Sequence, residues 1–141
     1  MSLPVEFSAP IFSALSPSNS LVLGVNDDDQ LDVITSVPNQ LPIFNFQGVG
    51  PTNLKLYEIS IVLDGQTYYV MAVGNAIMAS TTGVIRPFFL NFHPESTAYT
   101  IEIPNFLPTT LWEVKDNLIF LDVTTSRFTA SPSTMYRISP K

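Results

Sequence analysis

The chain alternates apolar and polar residues over short segments of roughly four to seven residues, a pattern typical of strands with one buried face. Clear examples are Leu21–Val25, Leu31–Thr35 and Leu118–Val123, which are rich in β-branched or aromatic residues. Twelve prolines interrupt the sequence and leave little room for a helix. The pattern therefore predicts an all-β fold, either a barrel or a β-sandwich.

The strand pattern recurs along the chain. Phe46 and Phe92 each end an apolar-Asn-apolar segment with a proline upstream, and the same spacing applied again reaches Ile138. The remaining strands follow in the same order, so the sequence predicts three successive units of four strands. A unit of this size is too small to bury its own apolar face, so we expect the three to pack against one another. The matching segments are Ile43–Gln47, Phe89–His93 and Met135–Ser139.

Three units of four strands resemble the β-trefoil family. The resemblance extends from Val5 to Ile138 and is carried by the repeat spacing and the strand pattern. It implies a single domain over residues 1–141, with repeats at about 5–52, 53–97 and 98–141. A β-sandwich is the alternative fold.

Charge and cysteine content remove several function classes. The chain has twelve acidic and six basic residues, which gives a net charge of −6, and the basic residues are scattered along the sequence. Nucleic acid and anionic membrane are therefore unexpected partners, because both require clustered Lys and Arg. Cysteine is absent, which excludes disulfides, thiolate metal sites and a cysteine nucleophile. The N-terminal sequence does not resemble a signal peptide and no apolar run could span a bilayer, so we expect a cytoplasmic protein without membrane insertion.

Candidate chemistry is sparse. The single histidine, His93, cannot build a multi-histidine metal site, and we expect it at the surface at a strand end. The acidic run Asp27, Asp28 and Asp29 offers oxygen ligands of the kind that calcium prefers, but it lacks the spacing of an EF-hand. A hairpin turn is the simpler interpretation of that run. With no nucleophile motif present, we expect no enzymatic activity, no cofactor and no metal.

The trefoil resemblance implies two classes of binding protein, both of a kind associated with fungal defence. One class is the mushroom cysteine-protease inhibitors (the mycocypins), and the other is the lectins of the ricin-B type. Lectins of that type carry a Gln-x-Trp motif, where this chain has Asn45, Asn91 and Arg137. Trp112 is interpreted either as a sugar platform or as a core residue. The sugar-binding candidates are Asp27, Asp28, Asp29, Asn75, Trp112 and Asn117, of which the aspartates and the two asparagines occupy equivalent turns.

We favour the inhibitor class, because prolines between the strands would hold the loops in a fixed shape and so lower the entropy lost on binding. Asn75, with Gly74, could enter the pocket of an asparagine-specific protease. Arg127 could fill an acidic pocket of the trypsin type. Arg86 is a poorer candidate because Pro87 follows it. The inhibitory-loop candidates are Gly74, Asn75, Ser126, Arg127 and Phe128, the expected partner is a protease, and a glycan is the alternative.

Overall fold

The structure, a computed structural model, describes residues 3–51, 54–104, 108–123 and 131–140. Within these ranges the fold is all-β, with thirteen antiparallel strands and a 3-10 turn at Pro132–Thr134. The strands are β1 (Glu6–Ala9), β2 (Ile11–Ser13), β3 (Leu21–Val25), β4 (Leu31–Thr35), β5 (Phe44–Gly48), β6 (Leu56–Leu63), β7 (Gln66–Val73), β8 (Ala76–Ser80), β9 (Phe88–His93), β10 (Ala98–Glu102), β11 (Thr110–Lys115), β12 (Leu118–Val123) and β13 (Tyr136–Ile138).

The strands predicted at Leu21–Val25, Leu31–Thr35 and Leu118–Val123 are confirmed, whereas the N-terminal strand differs from its prediction. The sequence predicts a single strand from Val5 to Phe12, whereas the structure divides it at Pro10 into β1 and β2. Proline has no N–H to give to a strand ladder, so the pairing changes at this residue. β1 pairs with β5 and β2 pairs with β13, so the two halves reach opposite neighbours.

Seven strands form a closed series of pairings. β1 pairs with β5, β5 with β6, β6 with β9, β9 with β10 and β10 with β13. β13 then pairs with β2, which continues β1 beyond Pro10. This series, named here the strand ring, leaves no free edge among its members, and free edges are where strands recruit other chains.

The other six strands form three hairpins, β3–β4, β7–β8 and β11–β12. Each hairpin also bonds to the other two, to one through its own turn and to the other through a strand residue. A backbone N–H of one hairpin donates to the carbonyl of a turn residue in another, and the three bonds run in a cycle. They are Val33 N to Asn117 O (2.8 Å), Ala79 N to Asp29 O (2.7 Å) and Leu121 N to Asn75 O (2.7 Å). The three hairpins together are named the hairpin cap.

The core lies inside the strand ring and under the hairpin cap. Alternation along the strands places its members: on β5, Phe44 and Phe46 are buried while Asn45 and Gln47 face outward. Phe46 stacks on Phe7 with ring centroids 4.5 Å apart, and Tyr57 meets both rings edge-on. The largest fully buried side chains are Trp112, Tyr136, Phe44, Phe46, Phe88, Ile11, Leu23, Leu31, Ile59, Ile77, Ile101 and Ile119.

None of the helices in the described part of the chain is long and apolar enough to cross a membrane.

Candidate functional site

The structure places three of the turn residues that the sequence marks for sugar binding in the hairpin cap. Asp29, Asn75 and Asn117 are exposed, and the carbonyl of each accepts one of the bonds that close the hairpin cap. Their backbone acceptors are therefore occupied within the fold. Their side chains remain at the surface, where they are free to contact a ligand.

The run Asp27, Asp28 and Asp29 forms part of the β3–β4 turn. Asn26 Oδ1 accepts hydrogen bonds from the backbone N–H groups of Asp28 (2.8 Å) and Gln30 (3.1 Å). This is the local bonding that suits Asn at a turn, and it confirms the simpler interpretation of the run. Across the described ranges, no group of three or more His, Cys, Asp or Glu side chains is arranged to hold a metal ion.

Trp112 is not a sugar platform, because its side chain is fully buried. Its ring meets the rings of Phe88 and Tyr136 edge-on, with centroids 5.1 and 6.3 Å away. Neither Trp112 Nε1 nor the Tyr136 hydroxyl has a hydrogen-bond partner among the described residues. Burial raises the pKa of the Tyr136 hydroxyl far above its ordinary value, and the nearby Glu113 carboxylate raises it further.

The inhibitory-loop candidates are divided by the structure. Gly74 and Asn75 form an exposed two-residue turn between β7 and β8, with Gly74 at φ 62°. The Asn75 carbonyl accepts from Leu121 N–H, so it is not available to a protease oxyanion hole while the hairpin cap is closed. The other candidates, Ser126, Arg127 and Phe128, lie outside the described residues.

A second loop, between β8 and β9, exposes apolar side chains outside regular structure. Val84 is 68% exposed and Ile85 37%, and the exposed Arg86 follows them. The start of the loop is fixed, because Thr82 N–H donates to Ser80 Oγ (3.1 Å) and Ser80 Oγ donates to the Thr82 carbonyl (2.7 Å). Residues 81–87, named here the β8–β9 loop, thus present an apolar surface from a fixed base.

His93 is more enclosed than the sequence predicts. It is half-buried, and its Nε2 lies 3.0 Å from the hydroxyl of the buried Thr100. Thr100 donates to Glu102 Oε2 (2.6 Å), so His93 Nε2 must be the donor to Thr100. Asn91 Nδ2 donates to the same carboxylate oxygen (3.0 Å). These polar groups therefore bond to one another along β9 and β10, and the sequence did not signal this because the register of the two strands decides which residues lie opposite each other.

Arg137 is likewise committed to the fold. Its Nη2 donates to the carbonyls of Ser16 (2.7 Å) and Ser18 (2.8 Å), and its Nε donates to Asn19 Oδ1 (2.9 Å). The guanidinium thereby holds the loop between β2 and β3 in place. It is a structural group, and it is not offered to a ligand.

The outward face of β1, β5, β6 and β7 carries a concave polar surface of about 520 Å³. Strand alternation creates it, because every second residue of these strands faces away from the core. Its outward-facing members form two cross-strand rows, Glu6–Gln47–Glu58 and Ser8–Asn45–Ser60–Tyr69, and they are named here the outer polar surface.

No described residue neutralises the acidic charge of the outer polar surface. Neither Glu6 nor Glu58 forms an ion pair with any described residue, and the lining contains no Lys or Arg. Ser8 Oγ donates to Asn45 Oδ1 (2.6 Å), which leaves the Asn45 amide nitrogen as a donor. The surface can thus offer carboxylate and amide acceptors, amide donors and hydroxyl groups to one ligand.

A second concave surface of similar volume, about 520 Å³, lies on the other side of Asn45. It is mostly apolar, and Asn45 belongs to the lining of both surfaces. Its lining residues are Gln40, Leu41, Pro42, Ile43, Asn45, Ile61, Val62 and Leu63.

Sequence reasoning identified only Asn45 from the outer polar surface, as the central residue of a strand. Glu6, Gln47, Glu58 and Tyr69 were missed because they lie on four different strands, of which β1 is distant in sequence from its partner β5. The available signal was a run of polar residues at the outward positions of β1, β5 and β6. A single sequence cannot show that these three strands are neighbours.

Comparison with known proteins gives no identification: the chain matches no protein-family model and no curated protein.

Proposed function

We propose that the all-β fold is a β-trefoil of three four-strand repeats. The cyclic order of contacts supports the proposal, since β5–β6, β9–β10 and β13–β2 each join one predicted repeat to the next. The three bonds of the hairpin cap follow the same cycle. Under this proposal Phe44, Phe88 and Tyr136 are equivalent core residues, because each lies on a ring strand at the matching step of the ladder.

The same ladders change one predicted equivalence. Phe44 pairs with Ala9, Phe88 pairs with Tyr57 and Tyr136 pairs with Tyr99. Counted from these pairs, the counterpart of Phe46 and Ile138 is Leu90, which is buried, and not Phe92. The sequence alignment of the second repeat is therefore displaced by two residues, a shift that leaves every side chain on its original face.

We propose that the protein is a non-enzymatic binding protein that inhibits a protease through its surface loops. The observation that carries the proposal is the exposure of Val84 and Ile85 in the β8–β9 loop. A partner that covers these side chains would remove apolar surface from water, which is favourable. The turn at Ser80–Thr82 restricts the start of the loop. Pro87 further restricts the end of this loop, and such restriction favours a preformed binding shape.

The proposed mode is obstruction of a protease cleft. A substrate-like mode at Asn75 would require its carbonyl to leave Leu121 N–H and enter the oxyanion hole. Obstruction by the β8–β9 loop needs no such rearrangement, and it requires no particular side chain in the specificity pocket. It is also compatible with Pro87 following Arg86, because the chain need not adopt the pose of a substrate.

Titration against papain, legumain and trypsin tests the proposal. We expect inhibition of at least one of them at sub-micromolar concentration. The double variant Val84→Ser/Ile85→Ser should weaken inhibition at least about tenfold, which is about 1.4 kcal/mol of binding free energy. Leu15→Ser is the matched control, since Leu15 is an exposed apolar residue in a different loop. A flat titration against all three proteases would contradict the proposal.

Carbohydrate binding is the second candidate function. The observation that favours it is the outer polar surface, which combines hydrogen-bonding groups of both kinds with an aromatic ring in a concavity of ligand size.

A further inference from the structure

We infer that the outer polar surface is a carbohydrate-binding site, and that it takes neutral glycans in preference to anionic ones. The inference rests on the second candidate function above, and it is independent of protease inhibition by the β8–β9 loop. It places the site on the outward face of β1, β5, β6 and β7 and away from the turns of the hairpin cap.

The first support is the distribution of donors and acceptors. Glu6 and Glu58 flank Gln47 in one row, so an amide with both donor and acceptor atoms stands between two carboxylates. Sugar hydroxyls act as donors and acceptors at once, and neighbouring hydroxyls of one ring bond well to such mixed groups. Ser60 and the free amide nitrogen of Asn45 extend the set in the adjacent row.

The second support is the shape and polarity of the concavity. Its volume of about 520 Å³ falls within the usual range for ligand sites, but its lining is mostly polar. An apolar ligand would leave these polar groups desolvated and unpaired, which costs free energy. A hydroxyl-rich ligand would replace the water bonds that it displaces.

The third support is Tyr69, a half-buried aromatic residue at the end of the second row. An aromatic side chain that lines a polar concavity gives an apolar face of a sugar ring a surface to cover. Tyr69 thus supplies the non-polar contact that hydrogen bonds alone do not provide.

Charge sets the predicted selectivity. Glu6 and Glu58 have no ion-pair partner among the described residues, and no basic residue lines the concavity. Their field would repel sialylated or sulfated glycans. The two residues lie two strands apart, about 10 Å between their Cα atoms, with Gln47 between them, a spacing that suits an extended ligand better than a single metal ion.

A glycan array that carries neutral, sialylated and sulfated glycans tests the inference. We expect binding to neutral glycans, and calorimetry with the best of them should show at least tenfold weaker affinity for each of Glu58→Gln, Gln47→Ala and Tyr69→Ala. Asp28→Asn and Asn117→Ala are the controls, because both lie in turns of the hairpin cap and should bind as the unchanged protein does. Circular dichroism and thermal melts check folding, and Gln47→Ala serves if Tyr69→Ala fails to fold.

The outcomes distinguish failure of the proposed site from failure of carbohydrate binding as a function. Loss of binding in the turn variants with retention in the outer-surface variants would overturn the inference and leave carbohydrate binding in place. A preference for anionic glycans would overturn it as well. Absence of any array signal would overturn both the inference and the second candidate function, while the protease titration reports separately on the first.

Discussion

The two faces of the sheet around β5 use polar groups in opposite ways. On the outward face, Gln47 lies opposite Glu58 and Asn45 lies opposite Ser60, and their hydrogen-bonding capacity is largely left to solvent or ligand. On the inward face, Phe44 and Phe46 are buried in the core, and Phe46 packs against the rings of Phe7 and Tyr57. Substitutions on the inward face should therefore change stability, and substitutions on the outward face should change binding.

The largest expected effect is that of truncating an inward aromatic residue. Phe46→Ala removes a fully buried ring that contacts Phe7 and Tyr57 and leaves a cavity. We expect a loss of about 3–5 kcal/mol in the free energy of unfolding, measured by urea denaturation. Gln47→Ala, the next residue on the outward face, is the control and should change stability by less than about 0.5 kcal/mol. Equal losses in the two variants would contradict the division of the faces.

Tyr136→Phe tests a polar atom on the inward face. The hydroxyl is fully buried and has no hydrogen-bond partner among the described residues, so its removal should relieve a desolvation cost. We expect a gain of about 1 kcal/mol in the free energy of unfolding. Urea denaturation of the variant beside the unchanged protein measures it, and a loss of stability would show that the hydroxyl is satisfied in solution.

Asp32→Asn should change the pH dependence of stability. Burial raises the pKa of the Asp32 carboxyl in the folded state, with a smaller opposing effect from a backbone hydrogen bond. Its favourable contribution is therefore complete below the unfolded pKa, near 3.8, and is lost as the pH rises through the folded pKa. We expect the variant to be more stable at pH 7 by no more than about 1 kcal/mol, because Asp32 is partly solvated. Melting temperatures of both proteins should converge as the pH falls towards 4.

Asn117→Gly has the smallest expected effect. Asp116 and Asn117 form the two-residue turn between β11 and β12 with φ values of 53° and 62°, a geometry that glycine adopts without strain. The resulting Asp-Gly pair suits this type of turn. We expect a gain of up to about 0.5 kcal/mol. The Asn117 carbonyl still accepts from Val33 N–H in the variant, so a clear loss in a thermal melt would mean that the Asn side chain itself stabilises the hairpin cap.

The strands were predictable from the sequence because alternation and proline placement are local signals. The ladder register was not, since Leu90 and Phe92 occupy the same face and the pattern cannot distinguish them. Trp112 was ambiguous for a related reason: both Leu111 and Trp112 are buried, so alternation fails where β11 begins.

The outer polar surface was beyond the reach of sequence reasoning because it is assembled across strands. Its two rows join residues from Glu6 to Tyr69, and the pairings of β1 with β5, β5 with β6 and β6 with β7 make them neighbours. No local motif records such a pairing. The turns, by contrast, are recognisable in the sequence because they contain Asn, Asp and Gly. This explains why most of the predicted sugar-binding residues lie in the hairpin cap.

In the hairpin cap, each hairpin donates one backbone hydrogen bond to one neighbour and accepts one from the other neighbour. Unfolding of any one hairpin would break two of the three bonds at once, so the cap should assemble and melt as a unit. The bond from Val33 N–H to the Asn117 carbonyl joins an early part of the chain to a late one. During synthesis the first two hairpins can meet, but the cycle stays open until β11 and β12 have emerged.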